Sequence, residues 1–201
     1  MSGAFSVEDM EVLGHVLQEG AVLSSHRMSE FVDARWKVSV SGLRAVRLEL
    51  VPELFLQDAM AHTGASLFVR EPLPLNVVVF FPDWTLAPLV AALGRAVPQL
   101  QDRTEPERLV ASEAANILGH GIMKALADRC GRAFISGAPV LAHGTKTEIL
   151  AGFMRRMPAA ADALLTQAEF YSDRQAAAVT VLLLADAAAL RGLLADSRSD
   201  A

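Results

Sequence analysis

The chain has 201 residues, of which 52% are hydrophobic, enough for one packed domain or for two half-size units around one core. Its net charge of −5, with no cluster of lysines or arginines, argues against nucleic acid as a partner. No apolar run approaches the roughly 20 residues of a membrane helix, and the first residues lack the basic and apolar regions of a secretion signal. We therefore expect a cytoplasmic protein that binds neither membranes nor nucleic acids.

Cysteine and histidine usage predicts neither a disulfide nor a metal site. Cys130 is the single cysteine, which excludes an intramolecular disulfide and fits a reducing cytoplasm. The five histidines show no tight ligand spacing, and no second cysteine could help to complete a site. We therefore expect the chain to hold no metal or other cofactor of its own.

The first half of the sequence predicts a long helix, four extended segments and a short helix, in that order. Ser6 can cap a helix over 6–30, in which apolar residues recur at helical spacing. Asp83 can cap the short helix through about Leu93, which Gly94 would end. Alternating or continuous apolar runs predict the extended segments at 35–41, 44–51, 65–70 and 75–81.

The second half repeats this order at an offset of about 102 positions, which indicates an internal duplication. Residues related by this offset include Glu11 and Glu113, Val38 and Val140, and Phe68 and Phe170. The second half is therefore expected to contain a helix at about 105–129, extended segments at 138–141, 145–151, 168–171 and 177–184, and a last helix at 186–195. The pattern leaves open whether 152–166 is a loop or a short helix.

The repeat predicts an α+β domain with a pseudo-twofold axis. Each copy is too small to cover both faces of its own sheet, so the copies should join edge to edge into about six strands, with long amphipathic helices packed on them. We predict a single domain over 1–201, with repeat 1 at about 6–100 and repeat 2 at about 104–196. The segments 75–81 and 177–184 are apolar on both faces, which predicts the centre of the sheet. Two large side chains expected in the core are Trp36 and Trp84.

The helix at about 105–129 has a clear start in the sequence. Thr104 can cap it, and Glu107 can return a hydrogen bond to the Thr104 amide. Pro106 suits the first turn, where its missing N–H costs nothing. At 100° per residue, one face about 80° wide carries Glu113, Asn116, His120 and Lys124, with Leu109 beside them. The other side carries Val110, Ala114, Ile117, Gly121 and Ala125.

Glu113 and Asn116, a spacer of about 22 residues and then Pro139 form a recognisable pattern. With it, the chain resembles the CheC/CheX/FliY family of response-regulator phosphatases from bacterial chemotaxis. That family has Glu-x-x-Asn followed by a spaced proline, and Ser or Asp four residues before the glutamate. The resemblance covers nearly the whole chain, is greatest to CheC, and implies a CheC-like tandem repeat with a mostly antiparallel sheet.

The resemblance also implies a reaction and its residues. The substrate would be the aspartyl phosphate of a CheY-like receiver domain, which holds its own Mg²⁺. Asn116 would orient the attacking water and Glu113 would anchor the receiver through its active-site lysine. Pro139 would stiffen the adjoining strand. Residues expected to contact the partner are Leu109, Ser112, His120 and Lys124.

Several positions depart from the family pattern. Leu109 stands where the family has Ser or Asp, and Ser112 lies about 100° around the helix from Glu113, so it is uncertain as a replacement. The first repeat keeps Glu11 but has Gly14 in place of the asparagine. We therefore expect the first copy to be catalytically silent.

Three other interpretations remain open. The chain can be a weak or inactive relative that docks a receiver, a CheD-like deamidase or a motor-switch component. It can be a structural repeat protein with an unrelated ligand. Glu113 and Asn116 can also be no more than the solvated face of an amphipathic helix.

Overall fold

The computed structural model describes residues 5–96, 104–157, 163–172 and 177–199. These residues form five α-helices and a seven-stranded sheet, with two 3₁₀ turns at Leu48–Leu50 and Pro52–Phe55. In chain order the other elements are α1 (Val7–Phe31), β1 (Lys37–Val40), β2 (Arg44–Val46), β3 (Ala61–Val69), β4 (Leu75–Pro82), α2 (Asp83–Ala96), α3 (Pro106–Cys130), β5 (Val140–Thr145), α4 (Lys146–Met154), β6 (Ala163–Ser172), β7 (Ala177–Asp186) and α5 (Ala187–Ser199).

The sheet is antiparallel and has the strand order β1-β6-β7-β4-β3-β5, with the short β2 also paired to β6. The strands predicted at the centre, β4 and β7, lie there side by side, and every residue of β4 is buried. Val79 pairs with Val181. Because these two residues are equivalent in the repeats, the pseudo-twofold axis passes through this pair. The predicted α+β fold is thus confirmed, with one strand more than the six expected.

The two repeats exchange their first strands. β1 of repeat 1 pairs with β6 of repeat 2, and β5 of repeat 2 pairs with β3 of repeat 1. Each half therefore completes the sheet of the other, since its outer strand forms its ladder hydrogen bonds across the repeat boundary. The sequence predicted one shared edge, whereas four strand pairings join the repeats in the described structure: β1 with β6, β2 with β6, β4 with β7 and β3 with β5.

A helix replaces the extended segment predicted at 145–151. Thr145 and Glu148 form a capping box, in which the Glu148 carboxylate accepts from the Thr145 N–H at 2.9 Å. Ile149, Leu150 and Phe153 then share one buried face of α4 at helical spacing. The prediction was wrong because it transferred the extended segment predicted at 44–51 in the first repeat to the equivalent positions of the second. That first segment is itself shorter than predicted, since β2 ends at Val46.

The end of α2 and the start of α3, which flank the connection between the repeats, both differ from the prediction. The capping box of Thr104 and Glu107 does not form, because Pro106 occupies the first helical position and makes Glu105 the N-cap, with no side-chain hydrogen bond. α2 continues past the buried Gly94 to Ala96, although an interior glycine costs a helix about 1 kcal/mol relative to alanine. At the start of α1, Ser6 caps the helix as predicted and forms a capping box with Asp9.

Helices and 3₁₀ turns cover both faces of the sheet. α1 and α3 lie on the face that carries Leu67, Val77 and Val181, while α4 and the 3₁₀ turns pack on the face that carries Val78 and Phe80. Trp36 is buried as predicted, but Trp84, in the first turn of α2, is 49% exposed, so the prediction that it lies in the core was wrong. Among the described residues, no helix is long and apolar enough to cross a membrane.

α1 and α3 pack closely against one another and fix the orientation of α3. A Cβ built on Gly20 would lie 2.8 Å from the Cα of Ile122, and one built on Gly121 would collide with the Ser24 hydroxyl. That hydroxyl lies 2.8 Å from the Leu118 carbonyl oxygen, to which it donates. The helices run antiparallel, with one side of α3 against α1 and the sheet and the other side facing outward.

Candidate functional site

The outward side of α3 is the face that the spacing predicts. Glu113, His120 and Lys124 are exposed, Asn116 is half-buried, and Leu109 is 44% exposed. The residues that hold this part of α3 in the core are Val110, Ala111, Ala114, Ala115 and Leu118. Ile117, predicted on the inner side, is half-buried, because the contact with α1 and the sheet covers a narrower arc than the pattern indicates. Ser112 is also half-buried.

The Glu113 and Asn116 side chains are available to a partner. Within the described residues, neither side chain forms a hydrogen bond or an ion pair with the rest of the chain. Because the two residues are three apart, they are neighbours on the helix surface. A carboxylate and a carboxamide are thus presented side by side, with their hydrogen-bonding groups unused by the protein itself.

The next two polar residues of this face, His120 and Lys124, form hydrogen bonds within α3. Nδ1 of His120 lies 2.7 Å from the backbone carbonyl oxygen of Asn116. Lys124 donates to both carboxylate oxygens of Asp128, at 2.7 and 3.0 Å, one turn further along. The sequence placed both residues on this face but did not predict these hydrogen bonds, although their i, i+4 spacing is the signal that allows them.

Pro139 lies next to the strand on which α3 packs. Val140, the first residue of β5, pairs with Ser66 of β3, so Pro139 stands opposite the next position, Leu67. Leu67 in turn packs under Gly119, where an added Cβ would lie 3.2 Å from both Leu67 methyl carbons. Leu67 of β3 thus lies between Pro139 and Gly119, which is near the middle of α3.

The first repeat places Glu11 and Gly14 on α1. Glu11 is exposed and Gly14 half-buried. A Cβ built on Gly14 meets nothing within 4 Å, so the position has room for a side chain but presents none. Because α1 and α3 are antiparallel, this turn and the Asn116 turn lie towards opposite ends of the helix pair. The described structure therefore has the carboxylate–carboxamide pair on α3, without a counterpart on α1.

Other titratable groups of the described residues lie outside this face. No cluster of three or more His, Cys, Asp or Glu side chains suited to a metal ion occurs in the described part of the chain. Cys130 is buried, and burial raises the pKa of its thiol, which disfavours the reactive thiolate. His143 and Asp83 form an exposed pair at 3.7 Å between β5 and the start of α2.

The fold is similar to that of several solved chemotaxis and flagellar proteins. FliY from Thermotoga maritima superposes with a TM-score of 0.74 and 10% identity, over 97% of this chain and 100% of that one. The FliM middle domain from H. pylori gives 0.65 and 9%, over 95% and 99%. CheX from Desulfovibrio desulfuricans gives 0.50 and 11%, over 85% and 99%. No protein-family model matches the sequence, and no curated protein matches it significantly.

The chain therefore has the CheC/CheX/FliY fold, as the motif predicted. At identities near 10%, this similarity shows the fold and not the activity.

Proposed function

We propose that the protein is a phosphatase that hydrolyses the aspartyl phosphate of a CheY-like receiver domain. The observation that carries the proposal is that the exposed Glu113 and the half-buried Asn116 lie side by side on α3, with no hydrogen bond from either side chain to the rest of the described chain. The pair lies on a fold that this chain shares with chemotaxis proteins such as CheX.

Asn116 orients the attacking water. Phosphoryl transfer depends mainly on positioning and on charge stabilisation, and a phosphorylated receiver already holds the Mg²⁺ that stabilises charge. A carboxamide is neutral, so it can both donate to and accept from a water without repelling the phosphoryl group. The water oxygen forms the new bond to phosphorus while the bond to the aspartate oxygen breaks. Both water hydrogens leave with the phosphate as H₂PO₄⁻, and the receiver regains its carboxylate.

Glu113 binds the receiver. Its exposed carboxylate would form an ion pair with the lysine beside the receiver's phosphate, and a charge-assisted hydrogen bond of this kind fixes orientation as well as adding affinity. Because Glu113 lies one turn before Asn116, this contact places the amide at the phosphoryl group. Pro139 stiffens the start of β5, and the first copy, with Gly14, contributes no second site.

Substitution of the pair separates catalysis from binding. Asn116→Ala should leave receiver binding measurable while lowering phosphate release by about a hundredfold or more, because the water loses its positioning group. Glu113→Gln should mainly weaken binding of the phosphorylated receiver, seen as a higher KM. The measurement is release of inorganic phosphate from a CheY-like receiver phosphorylated with acetyl phosphate in Mg²⁺. If Asn116→Ala is as active as the parent, the assignment is wrong.

A second candidate is a binding module without turnover. It is favoured by the apolar Leu109 on the same face and by the similarity to FliM from H. pylori, which has been crystallised in a complex with FliG. In that case the chain would dock a receiver, a CheD-like protein or a motor-switch component. Tight binding that depends on receiver phosphorylation, with no shortening of the phosphate lifetime, would identify this function.

A further inference from the structure

The hydrogen bond between the His120 ring and the Asn116 backbone determines which ring nitrogen carries a proton. The partner of Nδ1 is a backbone carbonyl oxygen, which can only accept, so Nδ1 carries the proton that is donated over 2.7 Å. In the neutral ring, Nε2 is then left as an acceptor. The bond also holds the ring against the turn that carries Asn116, because the residues are four apart on one face.

The charged and apolar side chains near Asn116 cannot supply a neutral acceptor. Lys124 is a cation bound to both oxygens of Asp128. Glu113 is an anion, which would repel the phosphoryl group and is assigned to the receiver's lysine. Leu109, in the turn before Glu113, is apolar and 44% exposed. The other neutral acceptor one turn from Asn116 is the hydroxyl of Ser112, which is half-buried, whereas His120 is exposed and its ring is already hydrogen-bonded to the turn that carries Asn116.

We propose that His120 is a positioning residue of this site. Its Nε2 accepts a hydrogen bond from the attacking water, while the Asn116 amide holds the same water from one turn away. Two contacts restrict the orientation of the water more than one, and they leave a lone pair of the water oxygen directed at phosphorus. His120 keeps no proton in this step, since the water hydrogens leave with the phosphate. The inference rests on the proposed phosphatase function.

The test compares three variants in the full-length chain. His120→Phe keeps the ring but has no nitrogen, and His120→Gln has an amide oxygen that can accept in place of Nε2. The matched control is His15→Phe, at an exposed histidine of α1 in the silent first copy. For each, kcat and KM are measured with a CheY-like receiver phosphorylated with acetyl phosphate in Mg²⁺, and thermal unfolding confirms that the variant is folded.

His120→Phe should lower kcat about three- to tenfold with KM unchanged, which corresponds to the loss of one net hydrogen bond. His120→Gln should recover most of this loss, and His15→Phe should match the parent. The inference is overturned if His120→Phe keeps the parental kcat, if the effect is on KM alone, or if His120→Gln is no better than His120→Phe. These results leave the phosphatase function intact when Asn116→Ala is inactive. An inactive parent chain overturns both proposals.

Discussion

At the scale of single residues, the proposed site depends on the difference between the Glu113 carboxylate and the Asn116 amide, one turn apart on α3. Glu113 supplies charge for binding and Asn116 supplies a neutral group that can hold water, so neither can replace the other. The 3.6-residue period predicted the exposed position of Glu113, because α3 has one side covered by α1 and the sheet, whereas Asn116 is half-buried. The period could not predict the His120 bond, which depends on the rotation of a side chain.

Leu109 provides a prediction for partner binding at the same scale. Leu109→Ala should weaken binding of a beryllofluoride-activated receiver about five- to tenfold, because a half-exposed leucine on the docking face would lose apolar contact area. Its effect on kcat should be small. The dissociation constant can be measured by titration calorimetry, with Val7→Ala, at a 77% exposed position on α1, as the control. Equal affinity of the Leu109 variant and the parent would place Leu109 outside the interface.

At the scale of secondary-structure elements, the close crossing of α1 and α3 keeps the site in position. The sequence predicted both helices from their apolar spacing, yet it could not predict which glycines lie at the crossing. Gly20 lies against the backbone of Ile122, whereas Gly14, two turns earlier on the same helix, has open space around it. Likewise, the repeat predicted a strand at 145–151, but the local capping box of Thr145 and Glu148 produced α4.

The two glycines of α1 should respond in opposite directions to the same substitution. Gly14→Ala should raise the free energy of unfolding by about 0.5–1 kcal/mol, since it removes an interior helix glycine without a clash. Gly20→Ala should lower it by about 1–3 kcal/mol, because α1 and α3 must move apart. Urea denaturation of both variants measures the difference. A Gly20→Ala protein as stable as the parent would contradict the close helix crossing.

At the scale of the whole molecule, the exchange of strands makes the two repeats interdependent. The offset of about 102 positions predicted the symmetry, and the apolar runs predicted the central strands. The pairing of β1 with β6 and of β5 with β3 could not be predicted, because each is a long-range contact that no local pattern encodes. One consequence is that polar groups from both repeats meet on the α4 side of the sheet.

Lys146 contacts polar groups of both repeats. Its ammonium lies 3.0 Å from Asp58 and 3.5 Å from the Thr180 hydroxyl, while buried His62 donates from Nδ1 to the Met60 carbonyl at 2.8 Å. Burial, together with the charge of Lys146, lowers the pKa of His62 below its ordinary value of 6.5. Burial alone would raise the pKa of Asp58, but the hydrogen bond and charge of Lys146 outweigh it and hold the pKa below 3.8.

These shifts predict a loss of stability in acid. Between pH 6.5 and the lower pKa of folded His62, the unfolded chain binds more protons than the folded chain, so the free energy of unfolding falls as the pH falls. Asp58 adds a further loss below about pH 3.8. His62→Gln should flatten the first part of the profile, measured by urea denaturation from pH 8 to 5. An unchanged profile would show that His62 is not the group responsible.

The most direct test of the central claim is the lifetime of the phosphate on a CheY-like receiver when a substoichiometric amount of this protein is added. The account predicts that the parent chain shortens the lifetime over many turnovers, and that the Asn116→Ala protein leaves it as it is in the receiver alone. A lifetime that the parent chain leaves unchanged, or that both chains shorten equally, would contradict the role assigned to the exposed pair on α3.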